Sequence, residues 1–279
     1  MATAQFLINP HHIAATDRSA QYGDACFTSM YAESGAAFLL KAHLQRLQDG
    51  CAALQIPFTQ WNALESNLRE VLSGITDATA VKVLISRGSG GRGYQPPSSV
   101  DMVCVISTHP TDPILPPSVV LNLGVSDVSL SKEPWSEGIK HNNRLSQVLA
   151  RANLQSKNTD ELEDVLMCNE YQHVVEATSS NVFYQIDGVW HTPPIEAYGV
   201  KGVMREAWLQ YLSQNDIMVN QSYHHIDMFR EVEGMLLTNA VRGVRPVAKL
   251  TLPDSQHVLD TSAHLDLINR FMSQSQQAG

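Results

Sequence analysis

The chain has 279 residues, enough for one large domain or two ordinary ones with a substantial core. Hydrophobic residues make up 43% of the sequence and charged residues 17%, which is typical of a folded protein rather than a disordered one. Acidic residues outnumber basic ones by 28 to 19, so the formal net charge is −9; this argues against a general nucleic-acid or membrane-surface binder.

The cysteines and the N-terminal residues indicate the cellular compartment of the protein. The cysteines are far apart in the sequence and form no CxxC pair, which favours buried thiols in a reducing compartment over disulfides or zinc ligands. The first residues lack the basic start and long apolar run of a signal peptide, and no stretch approaches the roughly 20 apolar residues of a membrane span. We therefore expect a cytoplasmic protein that binds neither membrane nor nucleic acid. The four cysteines are Cys26, Cys51, Cys104 and Cys168.

The first part of the chain predicts four strands and two helices. Thr59 is expected to be the N-cap of the second helix. A glycine-rich loop separates the last two strands. The predicted strands cover residues 6–9, 26–32, 80–86 and 100–107, and the helices cover residues 41–54 and 61–72.

Residues 108–118, THPTDPILPPS, contain four prolines in eleven positions. Proline removes a backbone donor and fixes φ, so this stretch cannot be a helix or a central strand. We therefore predict an N-terminal domain at 1–108, a linker at 109–118 and a C-terminal domain at 119–279.

Beyond that stretch, strands and helices mix without strict βαβ alternation. This pattern predicts an α+β (mixed α/β) protein. A helix is expected to open at Lys140, and a hairpin is expected at residues 181–191. Further helices are predicted at 202–214 and near the C-terminus, and further strands at 119–125, 127–130, 164–169, 173–176, 217–223, 234–239 and 244–250.

The segment GSGGRG (88–93) matches the dinucleotide-binding pattern G-x-G-x-x-G, but the match does not indicate a dinucleotide-binding site. That motif needs a helix immediately afterwards to hold the pyrophosphate, and here Pro96 and Pro97 follow. A loop remains that carries Arg87 and Arg92, whose guanidinium groups suit carboxylates. It is either a loop that approaches a ligand or a solvated glycine hairpin.

Lys140 follows a glycine and an apolar residue. Partial burial lowers the pKa of a lysine in general and frees the amine as a nucleophile, as a Schiff-base lysine requires. A solvated lysine at the start of a helix is the alternative, and position alone favours that alternative. The histidines show no metal-ligand spacing and no G-x-S-x-G elbow occurs, so the sequence favours neither a metal site nor a serine hydrolase.

Several segments, in this order and spacing, resemble the fold-type IV pyridoxal-phosphate enzymes. This family contains D-amino acid and branched-chain aminotransferases and 4-amino-4-deoxychorismate lyase. SRGSGGRGY (86–94) and GIKHNNRL (138–145) are most similar to the lyases. The remaining segments are DRSAQYGDACFTS (17–29), KAHLQRL (41–47), VVEATSSNVF (174–183), GVKGVMRE (199–206) and LLTNAVRGVRPV (236–247).

The resemblance implies a two-domain architecture with a smaller N-terminal and a larger C-terminal domain. The larger domain would carry the Schiff-base lysine. The resemblance also implies a pyridoxal 5'-phosphate cofactor and a homodimer. It further implies that Lys140 is the Schiff-base lysine and proton shuttle, and that Glu176 bonds the pyridine nitrogen. Ser29 stands where the lyases usually carry threonine, which is thought to assist proton transfer.

The resemblance assigns the cofactor phosphate to Arg46, to the backbone amides of Val203 and Met204, and to Asn239. A helix N-terminus is itself an anion site, which supports the two amides independently.

Arg92 would bind a substrate carboxylate, with Tyr94 beside it. The implied function is the conversion of 4-amino-4-deoxychorismate to 4-aminobenzoate and pyruvate in folate biosynthesis. An aminotransferase on the same cofactor is the alternative, and a cofactor-free or nucleotide-binding module is the alternative from another class.

Overall fold

The computed structural model describes residues 3–99, 101–114, 119–132, 138–156 and 161–277. Contacts divide the chain into two compact units. The first contains the chain up to Pro113 and the short segment Ile139–Asn143; the second contains Ile114–Gly138 and Arg144–Gln277. The predicted linker begins inside a strand, because His109 and Pro110 pair with Ala80 and Thr79. Its residues 115–118 lie outside the described residues.

The segment that carries Lys140 departs from the predicted division. The sequence placed this lysine in the C-terminal domain, whereas Ile139–Asn143 packs with the first unit. The reason is backbone pairing, because Phe27 N donates to Lys140 O at 2.9 Å and Asn142 N donates to Ala25 O at 2.9 Å.

The described part of the first unit forms a five-stranded sheet in the order β1-β5-β4-β2-β3. Strand β1 runs parallel to β5, and the other neighbours are antiparallel. The strands are β1 (Thr3–Ile8), β2 (Ala25–Glu33), β3 (Ala36–Ala37), β4 (Thr79–Ser86) and β5 (Asp101–Pro110), and the helices are α1 (Arg18–Tyr22), α2 (Leu40–Ala53) and α3 (Trp61–Ser73).

The spacing of apolar residues along the helices and strands identifies the residues that form the core of this unit. Leu64, Leu68 and Leu72 recur every four residues on α3 and are all buried. They join one apolar cluster with inward-facing residues of β2, β4 and β5. The predicted N-cap was wrong by one residue: Gln60, not Thr59, precedes α3, and no described side chain caps it.

The second unit, over its described residues, contains a nine-stranded mixed sheet. Its main path is β11-β10-β9-β12-β13-β6-β7-β8, and β14 pairs with β13. The strands are β6 (Leu121–Val125), β7 (Asp164–Cys168), β8 (Val174–Ala177), β9 (Asn181–Ile186), β10 (Val189–Thr192), β11 (Val219–Gln221), β12 (Gly234–Asn239), β13 (Gly243–Thr251) and β14 (Gln256–Val258). The helices are α4 (Leu145–Ser156), α5 (Val203–Gln214) and α6 (Ser262–Gln277), with a 3-10 helix at Ile226–Glu231.

Strands β7 and β8 are buried at every position, which is typical of strands covered on both faces. Two sequence predictions were wrong here. Residues 127–130 contribute only an isolated bridge, from Leu130 to Asn169. Helix α4 begins at Leu145 rather than at Lys140, because the lysine segment is extended against β2. None of the helices in the ranges described is long and apolar enough to cross a membrane.

Candidate active site

Lys140 lies in an extended segment beside the edge of β2. Cys26 and His141 form an antiparallel bridge, and Phe27 N donates a hydrogen bond to Lys140 O. This register places Lys140 directly opposite Phe27. Opposed residues of paired strands project their side chains to the same face. The Lys140 ammonium lies 5.0 Å from the centre of the Phe27 ring, and the lysine is half-buried.

Ser29 follows Phe27 by two positions on β2 and therefore faces the same side of the sheet. Its direct partner on β4 is Lys82, whose ammonium lies 4.5 Å from the Phe27 ring centre. Burial lowers the pKa of Lys82 from its usual value. One face thus gathers Lys140, Ser29, Phe27 and Lys82. The sequence analysis did not predict Lys82 as a site residue, although its place inside an otherwise apolar strand was an available signal.

Arg46 lies on α2, which packs against β2. Its Nε donates to Thr28 Oγ1 at 3.1 Å, and its Nη2 donates to the same oxygen. Thr28 and His43 are fully buried, and His43 Nδ1 lies 2.6 Å from Thr28 Oγ1. The sequence predicted the arginine and missed the other two residues, because the contact depends on how α2 packs against β2.

Arg92 and Tyr94 lie in the loop after β4, where both are exposed. The described residues that follow, 94–99, form turns and no helix, as the two prolines predicted. The buried Arg18 holds this loop, because its guanidinium donates to the carbonyl oxygens of Gly90, Gly93 and Tyr94 at 3.3, 3.3 and 3.0 Å.

Arg87 does not bind a ligand carboxylate from this loop. Its Nε donates to Asp24 Oδ2 at 2.7 Å, and the same oxygen accepts from Arg18 Nε at 2.8 Å. Burial raises the pKa of Asp24, but the hydrogen bonds from Arg87 and Arg18 outweigh it and hold the pKa below its usual value. Arg87 and Arg18 therefore form an internal ion cluster with Asp24, and this cluster fixes the base of the loop.

Glu176, on β8 of the second unit, is a buried carboxylate. Val200 N donates to its Oε2 at 2.9 Å, and Gln147 Nε2 lies 3.4 Å from its Oε1. Gly199 has a φ of +75°, and a Cβ at that position would lie 3.2 Å from the carboxylate. The glycine thus permits a close backbone approach that orients Glu176.

Val203 and Met204 are the first residues of α5, and both are buried. Gly202 is the N-cap, and none of the described side chains caps this end. The first bond within the helix runs from Glu206 N to Gly202 O at 3.0 Å, so the amides of Val203 and Met204 have no acceptor within the helix. The helix dipole adds about half a positive charge there, which makes this end suitable for an anion.

Asn239, at the end of β12, supports a turn. Its Nδ2 donates to Ser179 O at 2.6 Å, and its Oδ1 accepts from Val241 N and Arg242 N at 2.8 and 3.1 Å. The preceding residue, Thr238, was missed by the sequence. Its hydroxyl is buried and has no hydrogen-bond partner among the described residues, so it remains available to accept or donate.

Comparisons with known proteins show the family of the chain. The family model described as amino-transferase class IV matches residues 25–250. A curated aminodeoxychorismate lyase from Vibrio harveyi is 33% identical over 252 residues, which is 88% of this chain and 90% of that protein. A D-alanine aminotransferase from Staphylococcus aureus (strain MW2) is 24% identical over 242 residues, 85% of this chain and 83% of that protein.

Among solved structures, the chain is similar to the crystal structure of 4-amino-4-deoxychorismate lyase from Pseudomonas aeruginosa. The TM-score is 0.85 and the identity 28%, with 95% of this chain and 96% of that chain covered. The mixed α/β architecture predicted from the sequence is confirmed as the fold of the fold-type IV enzymes. The chain therefore belongs to the class IV aminotransferase family, whose enzymes depend on pyridoxal phosphate.

Proposed function

We propose that this protein is a pyridoxal-phosphate-dependent lyase that converts 4-amino-4-deoxychorismate to 4-aminobenzoate and pyruvate in folate biosynthesis. The identity to the lyase from Vibrio harveyi, 33%, exceeds the 24% to the D-alanine aminotransferase and supports the lyase over the aminotransferase. The observation that carries the proposal is the pairing of Lys140 with Phe27, since it sets a lysine amine on the same sheet face as the Ser29 hydroxyl.

The residues present fit pyridoxal phosphate, which combines an aldehyde, a pyridine nitrogen and a phosphate. The Lys140 amine suits the aldehyde and the Arg46 guanidinium suits the phosphate. Glu176 is a buried carboxylate that suits the pyridine nitrogen, and the amides of Val203 and Met204 have no acceptor within α5. When bound, the cofactor draws electron density away from the substrate carbon that bears the amine.

Lys140 and Ser29 carry the proton transfers in this proposal. The Lys140 amine removes the proton from the amine-bearing carbon of the substrate, as a general base held near that carbon by the sheet. The enolpyruvyl group then leaves as the ring becomes aromatic, and the Ser29 hydroxyl supplies a proton to it. The Phe27 ring beside the lysine excludes water from this face.

Glu176 holds a proton on the pyridine nitrogen. Because Val200 N fixes one of its oxygens, the carboxylate keeps one orientation. A carboxylate in a buried position interacts more strongly with a cationic ring nitrogen than it would in water.

The cofactor phosphate is bound by the side chains of Arg46 and Asn239 and by the backbone amides of Val203 and Met204. Arg92, with Tyr94 beside it, binds a carboxylate of the substrate. The position of Arg92 depends on the contacts between Arg18 and its loop.

The test is a product assay with purified protein, pyridoxal phosphate and 4-amino-4-deoxychorismate in the absence of any keto acid. The proposal predicts pyruvate and 4-aminobenzoate in equal amounts. An absolute requirement for a keto-acid acceptor would instead identify an aminotransferase. A protein that binds no pyridoxal phosphate would point to the nucleotide-binding alternative.

We also propose that the protein is a homodimer, as the family resemblance implies, and that it is cytoplasmic, as its cysteine pattern favours. Light scattering coupled to gel filtration measures the molar mass directly. A mass equal to the 30.8 kDa of one chain at working concentration would contradict the dimer.

A further inference from the structure

We propose that Thr28, held by His43, is a positioning residue that fixes the guanidinium of Arg46 and thereby sets the affinity for the phosphate of the cofactor. This inference rests on the proposed function only in taking Arg46 as a phosphate contact. The Thr28 hydroxyl and the His43 imidazole lie on the interior side of β2, where α2 packs.

The direction of each hydrogen bond follows from the chemistry of the three groups. Arg46 can only donate, and it donates from both Nε and Nη2 to Thr28 Oγ1. The Thr28 oxygen therefore accepts from the arginine, and its own proton is directed to His43 Nδ1 at 2.6 Å. The His43 ring must be neutral, with its proton on Nε2.

The surroundings keep that histidine neutral. Burial and the neighbouring Arg46 charge hold the pKa of His43 well below its usual value. The His43 Nε2 is buried and has no hydrogen-bond partner among the described residues. A neutral ring with its Nδ1 acceptor pointing at Thr28 therefore persists across the working pH range.

The arrangement is rigid on both sides. His43 and Arg46 are three residues apart on α2, so they project from one side of the helix. Thr28 lies in the middle of β2, with Val83 as its register partner on β4, and its branched Cβ restricts the side chain to few rotamers. An arginine held in this way loses less conformational freedom when it binds an anion.

A different reading is that the three residues only complete a buried polar cluster. The two readings predict different ligand dependence. If Thr28 acts through Arg46, loss of its hydroxyl weakens binding of pyridoxal 5'-phosphate and leaves binding of pyridoxal, which lacks the phosphate, unchanged. If the cluster only stabilises the fold, both ligands are affected alike or neither is.

The experiment measures the dissociation constants of both ligands by absorbance titration of the apoprotein. Thr28→Val keeps the shape and removes the hydroxyl, whereas Thr28→Ser keeps the hydroxyl and serves as the matched control. We expect Thr28→Val to weaken pyridoxal phosphate about tenfold, as for a lost hydrogen bond to a charged group, with pyridoxal unchanged and Thr28→Ser close to wild type. Thermal unfolding checks that each variant is folded.

A double-mutant cycle keeps the test decisive if Thr28→Val is destabilised. In an Arg46→Ala background, removal of the Thr28 hydroxyl should weaken pyridoxal phosphate no further, because its effect passes through the arginine. Equal losses in both backgrounds, or unchanged affinity in Thr28→Val, would overturn the inference. Wild-type protein that binds no pyridoxal phosphate would instead overturn the proposed function.

Discussion

The Lys140 ammonium lies 5.0 Å from the centre of the Phe27 ring, because the two residues face each other across a pair of extended segments. Lys82 approaches the same ring to 4.5 Å. Two amines therefore share one aromatic neighbour, and the chemistry proposed for this site requires that only one of them bonds the cofactor.

Lys82 should reduce stability at neutral pH. Burial lowers its pKa in the folded state below the 10.5 of an exposed lysine. The folded protein therefore releases this proton before the unfolded chain does, so the cost of the buried charge is full below the lowered pKa and disappears as pH rises towards 10.5. We expect Lys82→Met to melt at a higher temperature than wild type at pH 7, with a difference that narrows as the pH approaches 10. A difference independent of pH would show that burial of the charge is not the cause.

Asp24 should contribute stability above its pKa. Its two arginine partners lower that pKa, so its contribution is complete above the usual 3.8 and is lost as pH falls through the lowered folded value. Asp24→Asn leaves Arg18 and Arg87 buried without their carboxylate, and we expect a loss of about 3 kcal/mol in the free energy of unfolding at pH 7. Urea unfolding measures this loss, which should shrink below pH 3.8. A loss of the same size at pH 3 and pH 7 would contradict the ion-cluster account.

Arg18 should control substrate binding through the glycine loop. Lysine cannot reproduce its donation to three loop carbonyls together with the bond to Asp24. We expect Arg18→Lys to raise the KM for 4-amino-4-deoxychorismate about tenfold, the usual effect of one lost charged hydrogen bond, while pyridoxal phosphate affinity stays unchanged.

Arg69→Lys is the matched control for Arg18→Lys, since Arg69 pairs with Glu65 on the exposed face of α3. It should behave as wild type in both measurements. An unchanged KM in Arg18→Lys would show that the loop does not depend on this guanidinium.

Gly202 should be intolerant of a side chain. A Cβ at this position would overlap Asn181 Oδ1 well inside van der Waals contact, which would displace the start of α5. We expect Gly202→Ala to cost about 1–3 kcal/mol of stability and to weaken pyridoxal phosphate through the displaced amides of Val203 and Met204.

Gly74→Ala is the comparison for Gly202→Ala. Its Cβ would meet only Val71 O at 3.7 Å, and its φ is −89°, so stability should be unchanged or slightly higher. Equal effects of the two substitutions would remove the steric argument.

Local patterns in the sequence predicted most strands and helices, because each has a clear periodicity. They predicted the extended position of Lys140 poorly, since the pairing of that segment with β2 joins residues more than 100 positions apart. The contact between Thr28 and His43 was missed for another reason, since it depends on how α2 packs against β2. Lys82 was not predicted as a site residue, because the surroundings of a strand residue depend on what covers its face of the sheet.

Peptide mapping after borohydride reduction of the protein loaded with pyridoxal phosphate identifies the Schiff-base lysine. Reduction makes the bond between a lysine amine and the cofactor permanent, so mass spectrometry of the peptides identifies the lysine that carries it. We expect the phosphopyridoxyl group on Lys140 and its loss in Lys140→Ala. A label on Lys82 instead, or no label on any lysine, would contradict it.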